Sequence, residues 1–238
     1  APFPEDAETP PGEGTTNISY AGAIRSALGK LIVSADLPKQ SNGKDVWLEG
    51  KVSGQFDYGE GDPDPEITYN VSVPAHGTFI AGIIAAEDTN DIGRVGVVPG
   101  GLLNLQKIAD NYGNFYFSYA VSALADLADG DLGVGVLSYS IAGSSYTDSF
   151  RDAVDALADV DILMVAAAGN KGEGAAPAWP AAHPKVIAVT AIDNQLKLYE
   201  QANRGSYVDF SAPGVNLVTT VPEGLKLQSG TSFASPFI

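Results

Sequence analysis

The chain has 238 residues, enough for one sizeable α/β core. Its 29 Asp and Glu against 13 Lys and Arg give a net charge of −16, a negative field that repels phosphate backbones and disfavours nucleic acid as a partner. No apolar run reaches the roughly 18 residues needed to cross a bilayer, and the absence of cysteine removes disulfides, thiol catalysis and thiolate-bound metals together.

The opening run, APFPEDAETPPGEGTT, lacks a basic stretch followed by an apolar one, so it is no intact signal peptide. Its Pro, Glu and Gly content predicts an extended or disordered arm over residues 1–17. Residues 18–238 read as a single domain without repeats or linkers. In it, apolar β-rich runs alternate with alanine-rich helical ones, the pattern of an α/β fold with a mostly parallel central sheet and helices on both faces. Strands are expected at 30–35, 102–108, 133–138, 161–167, 185–191 and 207–210. One helix is expected over 118–130, with Ala120, Leu124 and Leu127 on one face, and another over 146–160, with Phe150, Val154 and Leu157. Residues 54–74 and 170–184 are rich in Gly, Asp and Pro and read as surface loops, where an open α/β sheet places its site.

Only two histidines are present, so a histidine base is one of His76 and His183. His76 opens HGTFIAGIIAAE, at the first turn of an expected buried helix. His183 sits between alanines and a proline and reads as a loop or packing residue, with no nucleophile or orienting acid near it in sequence. A hydroxyl nucleophile needs a base within hydrogen-bond reach, an acid to hold that base, and donors for the oxyanion that forms. Ser232 in SGTSFASP stands at an expected helix N-terminus, where backbone N–H groups and the helix dipole favour negative charge. Asn170 ends VAAAGN, a buried strand that closes in small residues and then presents an amide. Each alone also reads as an ordinary helix start or turn.

Together, HGT with its small-residue helix, AAAGN and SGTSFASP, in that order, resemble the subtilisin-like serine proteases. The connecting runs GRVGVVPG, VLSYSIAG, PAAHPKVIAVTAID and ANRGSYVDFSAPGV extend the resemblance from about residue 30 to 238. It implies the three-layer subtilisin-like fold and hydrolysis of peptide bonds through an acyl-enzyme on Ser232. On that likeness His76 is the general base, and Asn170 joins the backbone N–H of Ser232 at the oxyanion. Substrate adds as a strand along Ser140, Ile141, Ala142 and Gly143. Ala167, Ala168 and Gly169 would wall the pocket for the residue before the cut, with an apolar side chain expected there. The partners implied are polypeptide substrates and a propeptide or peptide inhibitor, the location is secreted or cell envelope, and the chemistry needs no cofactor.

The acid is assigned to Asp36, which follows the apolar run Leu31, Ile32 and Val33. Leu37 and Pro38 stand where the family has a small hydroxyl residue and a glycine. Asp45 and Asp57 are alternatives, neither ending an apolar run. The family also implies a calcium loop after the histidine helix, with Asp88, Asn90 and Asp91 as oxygen ligands, although Trp47 occupies the place of an expected ligating aspartate. The helix begun at Ser232 stops six residues on, which reads as truncation at the C-terminus. Two other readings therefore stay open: a degenerate relative that binds peptide without turnover, and a fragment that needs a missing C-terminal segment.

Overall fold

The computed structural model describes residues 52–58, 61, 76–86, 95–99, 101–110, 114–130, 132–221 and 224–238, together with the backbone of 30–33. The expected arm over 1–17, Asp36, Asp45, Trp47, Asp88, Asn90 and Asp91 lie outside the described residues, as does the side chain of Asp57.

Seven strands form one sheet. They are β1 (Lys30–Val33), β2 (Val52–Asp57), β3 (Leu103–Lys107), β4 (Val134–Tyr139), β5 (Leu163–Ala167), β6 (Val186–Ile192) and β7 (Phe210–Pro213). Their order is β2-β3-β1-β4-β5-β6-β7, and every neighbouring pair is parallel. Parallel pairing requires crossovers. Three described helices supply them: α1 (His76–Ala85) between β2 and β3, α2 (Phe117–Asp129) between β3 and β4, and α3 (Asp148–Asp159) between β4 and β5. A short helix, α4 (Thr231–Ala234), is followed by a single 3₁₀ turn over Ser235–Phe237.

The sheet is covered on both faces because alternate strand residues are apolar on each. On one face Leu137, Tyr139, Met164, Ala166 and Ala188 pack under α2 and α3 through Leu124, Leu127, Phe150, Val154 and Leu157. On the other, Leu103 and Leu105 meet Phe79, Ile80, Ile83 and Ile84 of α1 and Phe233 of α4, while Val165, Val189, Ala191 and Ala212 meet Ala234. Each fully buried Leu or Phe in these clusters contributes about 1.5–3 kcal/mol of burial free energy. Helix α3 begins cleanly because the Thr147 hydroxyl accepts a hydrogen bond from the Phe150 N–H at 3.2 Å, and Asp148 lies in the first turn, where the dipole favours it.

Three expectations change. The strand expected over 207–210 runs from Phe210 to Pro213. Asp209 is tied to Ala188 by main chain and side chain together, its N–H donating to the Ala188 carbonyl at 3.0 Å and its carboxylate accepting from the Ala188 N–H at 2.9 Å, and regular pairing with β6 begins at Phe210. The expected loop over 54–74 begins within β2, an edge strand whose register on β3 shifts between Val52 and Gly54, so glycine there marks an irregular strand rather than a loop. A hairpin of β8 (Leu217–Val221) and β9 (Gly224–Gln228) was not anticipated. It is tied to α1 by the Thr219 hydroxyl, which donates to the Phe79 carbonyl at 2.7 Å.

Candidate active site

Strand order reverses about β1, with β3 and β2 on one side and β4 to β7 on the other. In open parallel sheets the crevice beyond the carboxyl ends of the strands at such a point is where ligands bind. β4 ends at Tyr139, immediately before Ser140, and β5 ends at Ala167, three residues before Asn170. Helix α4, carrying Ser232, packs against β5, β6 and β7 and against α1, which begins at His76.

Asn170 is held by its own side chain. Its Oδ1 accepts from the Thr231 N–H at 2.9 Å and from the Thr231 hydroxyl at 3.1 Å, and that hydroxyl accepts from the Gly169 N–H at 3.1 Å. With the oxygen committed, the amide N–H groups are turned toward the Gly230 turn, where a β-carbon would sit 3.3 Å from Nδ2. Gly169 itself has φ +104°, and a β-carbon there would lie 2.6 Å from Asn203 Nδ2, so the turn before Asn170 requires glycine, sterically against Asn203 and by its backbone conformation. Asn203, 2% exposed, clamps the same turn, its N–H donating to the Gly169 carbonyl at 2.9 Å and its Oδ1 accepting from the Lys171 N–H at 2.7 Å.

Ser232 lies in the first turn of α4, where backbone N–H groups have no intrahelical acceptor. Its hydroxyl donates to the Ser140 carbonyl at 2.9 Å, and the Ser140 hydroxyl in turn lies 2.9 Å from the Ser232 carbonyl and 2.9 Å from the Ser235 hydroxyl. Among the described residues no hydrogen bond joins Ser232 to His76. The His76 ring instead lies 5.7 Å, centre to centre, from the ring of Phe233, the residue next to Ser232. Burial lowers the His76 pKa, which keeps the ring neutral and able to accept a proton.

Of the other expected residues, Gly143 exchanges both main-chain hydrogen bonds with Trp179, each at 2.9 Å, so this end of the expected substrate edge is already paired. Trp179 is fixed by stacking on Tyr146 at 4.4 Å. Ile141 is half-buried and Ala142 exposed. Ala167 and Ala168 are buried, and the Ala168 carbonyl accepts from the Tyr207 hydroxyl at 2.7 Å. His183 is in a loop and buried, and its Nε2 is 3.7 Å from an Asp155 carboxylate oxygen, an acid the sequence reading did not place beside it. Burial lowers the His183 pKa, against the opposing pull of Asp155. Thr231, Ser235 and Asn203 as supporting residues were not anticipated in these roles; their signal was only small or polar residues flanking the quoted motifs. Among the described residues no group of three or more His, Cys, Asp or Glu gathers to hold a metal ion.

A parallel three-layer sheet with a helix-borne serine, a helix-opening histidine and a strand-end asparagine at one carboxyl edge is the arrangement of a subtilisin-like protein. The family model described as "Subtilase family" matches residues 38–238, beginning two residues past Asp36, and the chain belongs to that family. It is 35% identical over 192 residues to "Thermophilic serine proteinase" of Bacillus sp. (strain AK1), a match that covers 80% of this chain and 46% of that protein. It is 32% identical to "Thermitase" of Thermoactinomyces vulgaris, covering 90% of this chain and 74% of that one. A solved structure, "Crystal structure of a cold adapted subtilisin-like serine proteinase", superimposes with a TM-score of 0.68 at 23% identity, covering 87% of this chain and 70% of the other, and shows the shared fold. The chain spans less than half the length of the Bacillus relative.

Proposed function

We propose that this chain is the catalytic part of a serine endopeptidase, with Ser232 as nucleophile, His76 as general base and then acid, Asp36 as the acid that orients His76, and Asn170 as oxyanion donor. The observation that carries the reading is the double attachment of Asn170 to Thr231, which commits the amide oxygen and leaves its N–H groups beside the turn that bears Ser232. That is the pre-organised donor an oxyanion needs, fixed before charge develops and costing no reorganisation at the moment of reaction.

In the reaction the Ser232 hydroxyl rotates from the Ser140 carbonyl toward His76, gives up its proton to the neutral ring, and attacks the scissile carbonyl. Catalytic hydrogen bonds that are long or absent in a free enzyme commonly tighten when substrate binds. The developing oxyanion is received by Asn170 Nδ2 and the Ser232 N–H. His76 then protonates the leaving amine, and water resolves the acyl-enzyme by the same route. Substrate lies along Ser140, Ile141 and Ala142, up to the Gly143–Trp179 pair that closes that end of the edge, with Ala167, Ala168 and Gly169 opposite and an apolar residue before the cut. Polypeptides are the substrates, a propeptide or peptide inhibitor fits the same groove, and the protein works secreted or in the cell envelope. No cofactor enters the chemistry; a structural calcium would be held by Asp88, Asn90 and Asp91.

The test is covalent labelling of the protein by a peptidyl phosphonate directed at active serines, alongside cleavage of an apolar peptide substrate. Labelling and cleavage are both expected, and both vanish in Ser232→Ala. A folded protein that binds the peptide but neither labels nor cleaves it would establish the peptide-binding reading instead.

A further inference from the structure

His183, the histidine that the proposed chemistry leaves aside, is buried in a turn that reaches the end of the substrate edge. Three main-chain bonds build that turn. The Ala182 N–H donates to the Ala178 carbonyl at 2.8 Å, the His183 N–H to the Pro180 carbonyl at 2.8 Å, and the Val186 N–H to the His183 carbonyl at 3.0 Å. Within it stands Trp179, which exchanges both main-chain bonds with Gly143. Tyr146 links the same residues through side chains, its ring 5.8 Å from that of His183 and stacked on Trp179 at 4.4 Å.

The imidazole is held by its acceptor nitrogen. His183 Nδ1 accepts from the Lys185 N–H at 3.2 Å, which requires that nitrogen to be bare and places the proton of the neutral ring on Nε2. A second proton therefore enters at Nδ1. It turns the acceptor into a donor, so the bond to Lys185 is lost and two N–H groups face each other. The Tyr146 hydroxyl, buried and without a hydrogen-bond partner among the described residues, offers the new donor another acceptor. An imidazolium is also drawn toward Asp155, whose carboxylate oxygen lies 3.7 Å from Nε2, too far for a hydrogen bond to the neutral ring.

The charged groups that face His183 are Asp155 and Arg151 of α3 and Lys185 of its own turn. Lys185 is shared between Asp155 at 3.0 Å and Asp159 at 3.2 Å, and Arg151 pairs with Asp148 at 2.9 Å and approaches Asp152 at 3.8 Å. Burial opposes charge on the ring first, Asp155 favours it, and Lys185 and Arg151 oppose it.

We propose that His183 is a pH-sensitive positioning residue for peptide binding. Neutral, it holds the turn that pairs Trp179 with Gly143; protonated, it releases Lys185, displaces Tyr146 and loosens that pair. A looser edge must be ordered when a peptide strand adds to Ser140, Ile141 and Ala142, so affinity falls in mild acid. The proposal rests on the reading of these three residues as the substrate edge, and adds a control on that edge from outside the serine, histidine and asparagine of the reaction.

The test uses the chain as Ser232→Ala, which cannot cleave itself, and an acetylated, amidated pentapeptide of alanine and phenylalanine, which has no titrating group. NMR from pH 8 to pH 5 is expected to show the Gly143 and Trp179 amide resonances moving with the midpoint of the His183 ring. Peptide affinity is expected to fall about fivefold or more between pH 7.5 and pH 5.5, the equivalent of one lost hydrogen bond. Both effects are expected to vanish in His183→Gln, which keeps an acceptor for the Lys185 N–H but takes no proton. In Asp155→Asn the midpoint is expected at lower pH, because the carboxylate that favours the charged ring is gone. Asp155 is partly exposed, so this variant decides the matter if His183→Gln folds poorly. Amides that stay still from pH 8 to pH 5, a midpoint unmoved in Asp155→Asn, or an acid loss of affinity that persists in His183→Gln would overturn the proposal. Absence of binding at pH 7.5 would overturn the substrate-edge reading and the proposal with it. The amide titrations hold or fail without any peptide, so the two failures are told apart.

Discussion

Asn170 and Thr231 are joined through a single oxygen: the amide Oδ1 receives both the backbone N–H and the hydroxyl of the threonine, at 2.9 and 3.1 Å. One contact fixes where the strand end stands relative to the helix that bears Ser232, and the other fixes which way the amide faces. Thr231→Val keeps the shape but loses both hydrogen bonds of the hydroxyl, to Asn170 Oδ1 and from the Gly169 N–H; kcat is expected to fall about tenfold or more with KM little changed, through the freed Asn170 amide. Asn170→Ala is expected to lower kcat about 10²–10³-fold. The double variant should have a kcat no lower than Asn170→Ala, because the hydroxyl acts on the reaction only by orienting the amide that Asn170→Ala has already removed; additive losses in steady-state kinetics would break the link between the two residues.

The pH profile reports on Asp36. Burial pulls the His76 pKa below the ordinary histidine value near 6.5, whereas a neighbouring carboxylate pulls it up. With Asp36 as the orienting acid, Asp36→Asn should move the acid limb of kcat/KM to lower pH and reduce turnover by about 10⁴. If the limb stays where it was and turnover is kept, Asp45 or Asp57 takes over the assignment.

Gly169→Ala should be damaging out of proportion to one methyl group. The new β-carbon meets Asn203 Nδ2 at 2.6 Å and the backbone must hold φ +104°. Strain of this kind costs about 1–3 kcal/mol. Because Asn170 is the next residue, the urea midpoint and kcat are expected to fall together. A variant of normal stability and normal kcat would show that the turn tolerates a side chain.

His183 makes stability sensitive to mild acid. Its folded pKa lies below the ordinary value, chiefly through burial, with Asp155 only partly offsetting it. The folded state therefore resists taking the proton that the unfolded state accepts below about pH 6.5, so this contribution is present above that pH and is lost as pH falls toward the folded pKa. Urea unfolding should give a lower midpoint at pH 5.5 than at pH 7.5, and a smaller difference in His183→Gln. An equal difference in the variant would assign the acid sensitivity to other groups, His76 among them.

Much of this was legible in the sequence, for identifiable reasons. Leu163–Ala167 and Val186–Ile192 are continuous apolar runs that only a sheet covered on both faces can bury, and Ala120, Leu124 and Leu127 repeat at helical spacing. Motif order brought His76, Asn170 and Ser232 into one hypothesis, and the fold sets them at one edge of one sheet. What was not legible depends on long-range geometry. Nothing local to Tyr207–Phe210 tells that the Asp209 carboxylate will take the Ala188 N–H, so that the regular ladder starts at Phe210. The hairpin of β8 and β9 is a local pairing, but its place on α1 is set by Thr219 reaching Phe79, 140 residues away in sequence. The partnership of His183 with Asp155 joins a loop to a helix face, which spacing along the chain does not encode.

The reciprocal bonds between Ser140 and Ser232 join positions 92 residues apart. Closing a loop of that length costs chain entropy, which the strands and helices packed between the two serines offset. The seating of Ser232 thus rests on the part of the sheet from β4 to β7 as a whole, and a substitution that loosens it is expected to unseat the serine even where it touches neither position.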